Sequence, residues 1–331
     1  MAYEVTLLPG DGVGEQVCAV ATECVAALGV EVCWERVYAN DPPSVLASVR
    51  RTGVMLKGKH PSPIRPGVMP FTVKLRKDLG VFVIVRHVRN LPGLPSRAQG
   101  IDLVVIRESS EDIYSGFEHE SSPGVFETVK VTTRAACERI SRYAFEYARA
   151  HGRRRVTTVH KANILKKADG MFLAVSREIA REYPEITHDD VIVDALCMQL
   201  VRRPQSFDVL LCGNLFGDIV SDCAAAMAGG LPVAVGTNHG PGIVIFENPH
   251  GATVEDVGPD GADPYMALLL SAGILRHFGE GNAADRLRDA CYQALERGVR
   301  TRDIGGTAGT SDVRAAVLEH LRAPGPGRIG A

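Results

Sequence analysis

The chain has 331 residues, of which 45% are hydrophobic and 23% are charged, so it has enough apolar content to bury a large core. Its 37 Lys and Arg residues nearly balance 39 Asp and Glu residues, and a formal net charge of -2 argues against nucleic acid or an acidic membrane as partner. We expect two domains, with any functional basic residues acting locally.

Cysteine usage and the first residues indicate the compartment. The eight cysteines are scattered, form no CxxC pair and show no zinc-ligand spacing with histidine, which is typical of buried thiols in a reducing compartment. The opening MAYEVTLLPGDGVG lacks the charged and apolar regions of a signal peptide, and no run of 18 apolar residues occurs. We therefore expect a soluble, cytoplasmic protein.

Short apolar, β-branched runs alternate with longer helical patterns, and Gly/Pro clusters separate them. The alternation predicts an α/β sheet with helices on both faces. The predicted strands are Val5–Leu8, Val81–Val85, Leu103–Arg107, Thr128–Thr133, Val156–His160, Val191–Asp194, Val209–Cys212 and Val244–Phe246. The predicted helices are Glu15–Leu28, Arg134–His151, Ala168–Glu182, Gly217–Ala228, Pro264–His277 and Ala283–Arg297.

The first loop, PGDGVG at Pro9–Gly14, invites comparison with a dinucleotide fingerprint. Its glycines are wrongly spaced for GxGxxG, and no acidic residue ends a second strand at the usual distance. The loop is better explained as a tight turn from strand to helix.

The segment NLFGDIVSD places Asp218 and Asp222 four residues apart, on one face of a predicted helix. The two carboxylates repel each other unless a cation lies between them, and they are embedded in an apolar stretch where an uncoordinated charge is costly. A divalent metal site is therefore predicted, with a solvated acidic face as the alternative. Asp194, at the end of the predicted strand VIVDA, is a third candidate ligand.

Basic residues coincide with the ends of predicted strands. Arg86 and Arg107 close apolar strands and Lys161 follows one, while Arg76 and Tyr114 lie close by in sequence. Ligands of α/β sheets gather at the carboxyl ends of strands, and guanidinium groups bind carboxylates through paired hydrogen bonds. Each arginine alone is typical of a surface ion pair, but the coincidence favours a site for a substrate with more than one carboxylate.

In these segments the chain resembles the isocitrate/isopropylmalate dehydrogenase family, and most of all its NAD-dependent isocitrate dehydrogenases. The resemblance runs nearly end to end, through LLPGDGVG, LRKDLGVFVIVR, IRESSEDIYSGFEHE, VHKANILKKADGMF, FDVLLCGNLFGDIVSD, LLLSAGILRHFG and TRDIGGTAGTSD. It implies a two-domain fold with a mixed sheet flanked by helices, not a Rossmann fold. Residues 1–85 and 230–331 would form a large dinucleotide-binding domain. Residues 86–229 would form a small domain with the dimer interface, the metal aspartates and an arm near 115–135.

The resemblance implies a metal-dependent, NAD-linked oxidative decarboxylation of a 3-substituted malate by a homodimer with shared active sites. Asp218 and Asp222 would bind Mg²⁺ or Mn²⁺ together with Asp194 of the partner subunit. Lys161 of the partner subunit would help take the proton of the 2-hydroxyl as hydride passes to NAD. Tyr114 would protonate the enolate left when CO₂ departs.

The substrate, a di- or tri-anionic hydroxy acid, would be held through its shared carboxylates by Arg76, Arg86 and Arg107. Its C3 substituent would meet Thr72, Val73 and Ser109. Isocitrate users carry an SxN motif before the first arginine, and isopropylmalate users carry two leucines; Thr72 and Val73 match neither pattern. Two further departures are Ser109 in place of the usual asparagine and His87 in place of the usual proline.

The cofactor segment of the resemblance reads HGATVEDVGPDGADP. Glu255 lies where NAD users carry an aspartate that accepts from the adenosine ribose hydroxyls, and a carboxylate there would repel a 2′-phosphate, which favours NAD over NADP. The other adenosine-contacting positions would be His250, Gly251, Asp256, Ala262 and Asp263, the last replacing the usual asparagine. Lys57 and Ser62 lie where the family approaches the nicotinamide.

Several alternatives remain. Basic residues near the substituent pocket (Lys59, His60, Arg65 and Lys74) suit either a solvated surface or a pocket retuned for a tetrahedral dianion. The second reading would make the substrate a phosphonate analogue such as 3-(phosphonomethyl)malate, in a biosynthetic enzyme. A 3-isopropylmalate dehydrogenase is a further alternative, and a catalytically silent regulatory subunit is the non-enzymatic one.

Overall fold

A computed structural model describes residues 2–10, 12–60, 69–248 and 254–322. Within these ranges the chain forms a large mixed sheet flanked by helices, which confirms the predicted fold class. The sheet strands are β1 (Tyr3–Leu8), β2 (Val32–Arg36), β3 (Val54–Lys57), β4 (Val83–Arg89), β5 (Asp102–Glu108), β8 (Arg155–His160), β9 (Thr187–Ile192), β10 (Val209–Cys212), β11 (Ala234–Gly240) and β12 (Ile243–Glu247); β6 (Glu118–Ser122) and β7 (Val125–Thr128) form a separate hairpin. The helices are α1 (Gly12–Ala27), α2 (Pro42–Thr52), α3 (Phe71–Asp78), α4 (Arg134–Ala150), α5 (Ala168–Ala180), α6 (Val193–Arg202), α7 (Asn214–Ala228), α8 (Val254–Val257), α9 (Tyr265–His277), α10 (Gly281–Glu296) and α11 (Thr310–Arg322).

The sheet has two parallel wings joined by an antiparallel centre. Its strand order is β2-β1-β3-β12-β11-β4-β5-β10-β8-β9. Pairs within β2-β1-β3-β12 and within β5-β10-β8-β9 are parallel, whereas β12/β11, β11/β4 and β4/β5 are antiparallel. Three antiparallel pairings separate the wings, so the strands of one wing run opposite to those of the other and their carboxyl ends lie at opposite edges of the sheet.

Apolar helix faces cover both sides of the sheet. A large core packs the inner faces of α1, α9, α10 and α11, together with α6 and α7, against the sheet. A second core joins α4 and α5 to β4, β5, β8 and β10. Strands β10 and β3 are buried along their whole length, in accord with their continuous apolar sequences. Among the described residues no helix is both long and apolar enough to cross a membrane.

Three strand predictions are wrong in part. The predicted strand at 81–85 begins at Val83 and continues to Arg89, so Arg86 lies inside β4 rather than beyond its end. The predicted strand at 128–133 is extended chain beyond β7, apart from an isolated bridge at Val131. The predicted strand at 191–194 stops at Ile192, so Asp194 lies in the first turn of α6 rather than at a strand end. Apolar β-branched runs of this length do not distinguish an edge of a strand from a helix start.

The predicted domain division stays a prediction. Its first boundary, between residues 85 and 86, falls inside β4, and the second lies just before β11. At the junction between the wings, β4 pairs with β5 along seven residues and with β11 along six. The wings therefore share one continuous sheet.

Candidate active site

A buried cluster of charges lies where β3 and β12 end. Lys57 ends β3 and Glu247 ends β12, and the two residues are direct neighbours in the parallel register. The Lys57 Nζ lies 3.0 Å from Glu247 Oε1, and both side chains are almost fully buried. Arg76, from α3, donates from Nη2 to Glu247 Oε2 at 2.6 Å, and Asn238 of β11 donates to the same oxygen at 2.6 Å.

The cluster carries more positive than negative charge. Burial would raise the pKa of Glu247, but Arg76, Lys57 and Arg86 outweigh it and hold that pKa well below its ordinary value. Burial lowers the pKa of Lys57 and that of Arg86. Arg86 is 8% exposed, and its buried Nη1 has no hydrogen-bond partner among the described residues. A buried guanidinium without an acceptor is costly, so the arrangement suits an anionic ligand.

Two glycines make room for two of the arginines. A Cβ added at Gly236 of β11 would lie 1.5 Å from Arg86 Nη1, and a Cβ at Gly217 of α7 would lie 2.6 Å from Arg107 Cγ. Each arginine side chain therefore packs directly against the backbone of a glycine, where any other residue would place a Cβ. These positions fix where the two guanidinium groups can point.

Arg107, on β5, is held by the first turns of α7. Its Nε and Nη2 donate to Asn214 Oδ1 at 2.9 and 2.7 Å, and its Nη1 donates to Asp218. The Tyr114 hydroxyl donates to the other carboxylate oxygen of Asp218. Burial and the hydrogen bond to Asp218 raise the pKa of Tyr114 to about 12, so its hydroxyl keeps its proton at neutral pH.

Asp222 lies one helical turn beyond Asp218 and makes no hydrogen bond or ion pair with the described residues. Desolvation and the like charge of Asp218 raise the pKa of Asp222. Two carboxylates one helical turn apart offer oxygen donors suited to a divalent cation. Among the described residues, however, no group of three or more His, Cys, Asp or Glu side chains lies close enough to hold a metal ion.

A cavity of about 290 Å³ opens beside Arg107 and Tyr114. Val73, Arg76 and Ser109 also line it, so five of the predicted substrate and catalytic residues share one cavity. Ser109 donates its hydroxyl to the carbonyl oxygen of Val81 at 3.3 Å. Further lining comes from residues to which the sequence analysis assigned no role: Lys77, Phe82, Phe117, Arg139 and Asn214.

Other predicted substituent residues lie at the edge of this region. Thr72 shares a face of α3 with Arg76, four residues later, and is half-buried. Lys74 is exposed and pairs with Asp78 at 2.8 Å, as expected for a solvated surface residue rather than for a pocket residue. The ring of His60 lies 5.1 Å from that of Phe71. Arg65 lies outside the described residues.

Lys161 and Asp194 form a separate pair on the same subunit. The Lys161 Nζ donates to Asp194 Oδ1 at 2.9 Å, and this bond is the main reason that the pKa of Asp194 is lowered. The exposed fraction of the Asp194 side chain is 69%. Neither residue contacts Asp218 within the chain.

A half-buried lysine joins the backbone segments that carry Tyr114 and Lys161. The Lys130 Nζ lies 3.2 Å from a carboxylate oxygen of Asp112 and 3.2 Å from one of Asp169. Asp169 accepts from the backbone N–H of Lys161 at 2.7 Å. Asp112, which has a left-handed φ of 77°, directly precedes the short 3₁₀ turn that carries Tyr114.

The predicted cofactor residues are described only in part. Ser62, His250 and Gly251 lie outside the described residues, and Glu255 lies in α8. Asp256 is exposed, whereas Ala262 is buried and its carbonyl oxygen accepts from the Thr310 hydroxyl at 2.7 Å. Asp263 is buried and accepts from the N–H of Tyr265 at 2.9 Å, which places its side chain at the start of α9. Their contacts with a dinucleotide stay a prediction.

The sequence interpretation missed Glu247, Asn214, Asn238 and the two glycines. Glu247 could have been found, because it ends an apolar strand in the same way as Arg107 does. Asn214 starts the helix that carries Asp218. Gly217 and Gly236 carry no signal of their own, because their role depends on which strand or helix packs beside an arginine.

Comparison with known proteins gives a consistent result. A profile described as Isocitrate/isopropylmalate dehydrogenase matches residues 4–317. The chain is 44% identical over 329 residues to an Arabidopsis thaliana protein named as regulatory subunit 1 of a mitochondrial isocitrate dehydrogenase (NAD), covering 96% of this chain and 89% of that protein. It is 40% identical to an Arabidopsis thaliana protein named as catalytic subunit 5, covering 96% and 88%. The crystal structure of isocitrate dehydrogenase from Methylococcus capsulatus has a TM-score of 0.91 and 38% identity, covering 97% of this chain and 100% of that chain.

Proposed function

The chain belongs to the isocitrate/isopropylmalate dehydrogenase family and is a decarboxylating hydroxyacid dehydrogenase; on that premise we propose that it acts on a 3-substituted malate with NAD and a divalent metal ion. One observation carries the proposal. Arg86 lies close to Arg76 and Lys57, and its buried Nη1 has no acceptor among the described residues. Such a cluster is stabilised by a carboxylate ligand.

The substrate would lie between the two charge clusters. Arg86 and Arg107 would each bind a carboxylate group of the malate, because both guanidinium groups are fixed by glycine contacts and both face the same cleft. Arg76 is already hydrogen-bonded to Glu247, so it would contribute through its remaining donors. The binding site would thus be preorganised before the substrate arrives.

Asp218 and Asp222 fit a divalent cation in their donor chemistry, since both offer carboxylate oxygens one helical turn apart and Asp222 has no hydrogen-bond or ion-pair partner in the part of the chain that the structure describes. They would hold Mg²⁺ or Mn²⁺ together with Asp194 of the partner subunit. When bound, the cation supplies a charge that polarises the hydroxyl and carbonyl oxygens of the substrate.

Proton transfers would be carried by two side chains. Lys161 of the partner subunit would accept the proton of the 2-hydroxyl while hydride leaves C2 for the nicotinamide. Loss of CO₂ from the 2-oxo acid leaves an enolate, and the protonated hydroxyl of Tyr114 would donate its proton to the enolate carbon. The raised pKa of Tyr114 keeps that proton available at neutral pH.

The dinucleotide would be held by segment 254–263 and by Lys57. This segment folds as α8 followed by a turn, and a Cβ at Gly261 would lie 1.9 Å from the carbonyl oxygen of Val257, so the turn requires glycine. A carboxylate at Glu255 supports NAD over NADP, because it would repel a 2′-phosphate.

We also propose a cytoplasmic homodimer with shared active sites. Large apolar side chains are exposed on α6 and α7, namely Met198, Val201 and Ile219, next to the segment that carries Lys161. The hairpin β6/β7 is exposed along its length and presents Phe126. Patches of this kind mark subunit interfaces, and the hairpin would be the predicted arm.

The silent-subunit alternative has one observation in its favour, which is the 44% identity to a protein named as a regulatory subunit. Against it, the chain retains Tyr114, Lys161, Asp194, Asp218 and Asp222, and the contacts of Tyr114 and Lys161 suit proton transfer. We therefore favour a catalytic subunit.

The test is turnover by the purified chain alone. NADH formation would be followed with isocitrate, 3-isopropylmalate, homoisocitrate, D-malate and 3-(phosphonomethyl)malate, each with Mg²⁺, with Mn²⁺ and with chelator. We expect turnover of at least one malate, dependent on metal and NAD, and the preferred substituent identifies the substrate. NADP in place of NAD tests the role given to Glu255.

A matched pair of variants tests the metal site. Asp222→Asn should abolish metal-dependent turnover, whereas Asp189→Asn, at an exposed position on the edge strand β9, should not. Full turnover in the presence of chelator, or no turnover of any malate, would contradict the proposal.

A further inference from the structure

A second cavity, of about 400 Å³, lies on the face of the sheet opposite the arginine cluster of the active site. Successive side chains of a strand point to opposite faces, so Arg86 faces the active site while His87 and Arg89 face the other way. The register agrees, because Gly236 pairs with Arg86 and Val235 pairs with His87. Val235, His87 and Arg89 all line the second cavity.

The far wall of this cavity comes from α9 and α10. Arg276 of α9 and Arg288 of α10 line it, and both pair with Asp285 at 2.5 Å. Arg288 also pairs with Asp289 at 2.9 Å. Among the described lining residues, three permanently charged arginines therefore face one carboxylate, with His87 beside them.

Arg89 has no carboxylate partner among the described residues. Its Nη2 donates to the Tyr292 hydroxyl, and its guanidinium lies 5.5 Å from the centre of the Tyr292 ring. Asp102, its neighbour across the strand pair, is bound instead to His87 at 2.7 Å and to Arg153 at 2.6 Å. The guanidinium of Arg89 is thus oriented by an aromatic side chain and keeps donors that no acid satisfies.

We infer that this cavity binds a small organic polyanion, a molecule with at least two carboxylate or phosphate groups, at a site separate from the active site. Arg89 would be the main anchor, with Arg276 and Arg288 contributing once the ligand competes with Asp285 for them. Arginines bind both kinds of acid through paired hydrogen bonds, and a cavity of this size is within the usual range for small-molecule sites. Apolar lining from Val235 and Leu269 suits the carbon part of the ligand.

The experiment is calorimetric titration of citrate, AMP and inorganic phosphate into the full chain and its variants. Because these anions can also enter the active site, each titration is repeated on Arg89→Met and on Arg76→Met. We expect a binding component that weakens at least about tenfold in Arg89→Met and persists in Arg76→Met. The probe that binds most tightly identifies the acid group of the ligand. Citrate would indicate a polycarboxylate, AMP a phosphate ester, and inorganic phosphate the free phosphate ion.

Two further variants sharpen the test. Asp285→Asn should tighten binding several-fold, because it removes a negative charge that repels the ligand, releases Arg276 and leaves Arg288 with Asp289 alone. Tyr292→Phe should weaken binding with no change of charge, because Arg89 loses its hydroxyl anchor. The control is Arg297→Met, which removes a charge at the end of α10 that pairs with Glu319 outside the cavity.

If every probe binds without dependence on Arg89, or if Asp285→Asn leaves the affinity unchanged, the inference is overturned. The test does not depend on turnover, so its result is separate from that of the proposed function.

Discussion

At the scale of single residues, the site depends on where guanidinium groups can point. Gly236 allows Arg86 to lie against β11, and Glu247 draws Arg76 and Lys57 together in the buried cluster. Among the described residues, the buried Nη1 of Arg86 is left without an acceptor. A change at Gly236 should therefore damage substrate binding more than it damages the fold.

We predict that Gly236→Ala lowers kcat/KM at least about 100-fold, because the new Cβ would lie 1.5 Å from Arg86 Nη1 and displace it. The measurement is steady-state NADH formation with the preferred malate. Gly281→Ala is the control, since a Cβ there meets nothing within 4 Å. Equal kcat/KM for the two variants would exclude the role given to Gly236.

We predict that Tyr114→Phe and Lys161→Ala each lower kcat at least about 100-fold, as expected for loss of proton transfer. Substrate affinity should change much less in Tyr114→Phe, because the ring and its contact with Arg107 remain. Single-turnover kinetics with each variant checks this. Near-normal turnover in both variants would contradict the assigned roles.

At the scale of elements, the extended segment between β7 and α4 supplies a brace. Lys130 bridges Asp112 and Asp169, and these carboxylates fix the turn of Tyr114 and the backbone of Lys161. The strand predicted there does not form, because the backbone of Val129 and Val131 bonds to that of Phe117 and Asp112, which lie outside any named strand.

We predict that Lys130→Met lowers the free energy of unfolding by about 3 kcal/mol, because two buried carboxylates lose their shared cation. It should lower kcat as well, through misplacement of Tyr114 and Lys161. Urea denaturation and steady-state kinetics measure the two effects. Lys130→Arg should restore part of both, and a variant as stable as the parent chain would refute the bridge.

Strand β11 carries a histidine that should make stability depend on pH. Burial lowers the pKa of His239 from 6.5 to about 4. Above pH 6.5 this histidine is neutral in both the folded and the unfolded chain. Between pH 6.5 and 4 it binds a proton in the unfolded chain but not in the folded chain. The free energy of unfolding should thus fall with decreasing pH across that window, by up to about 3 kcal/mol.

The check is urea denaturation at several pH values between 7 and 4. His239→Gln should flatten the dependence, whereas His119→Gln, on the exposed hairpin, should leave it as it is. An unchanged slope in His239→Gln would assign the effect to other groups.

At the scale of the whole molecule, the chain holds the proposed catalytic groups in two places. Tyr114 and Asp218 face the cleft, while Lys161 and Asp194 form an exposed pair elsewhere on the surface. Two copies of the chain are needed to unite them in the proposed mechanism.

We predict complementation between inactive variants. A mixture of Tyr114→Phe and Lys161→Ala chains, unfolded and refolded together, forms mixed dimers in which one of two sites has both groups. Random pairing should restore about a quarter of the parental activity. Each variant refolded alone is the control, and an inactive mixture would show that the site is complete within one chain.

The sequence by itself determined the alternating elements, the place of Arg107 near the end of β5 and the acidic pair on α7, because these depend on local periodicity and spacing. The helices predicted at 134–151 and 264–277 agree with α4 and α9 within one residue, since their apolar stripes are long. Short elements such as β3 and α6 could not be predicted in this way, because a run of a few apolar residues is compatible with either a strand or a helix.

Only the tertiary structure decided which charges meet. Glu247 joins Lys57 through strand register, and Gly236 receives Arg86 through the pairing of β11 with β4. Strand alternation separates His87 and Arg89 from Arg86, but only the packing of α9 and α10 encloses a second cavity on their side of the sheet. Contacts of this kind join residues up to 190 positions apart, so no local pattern in the sequence specifies them.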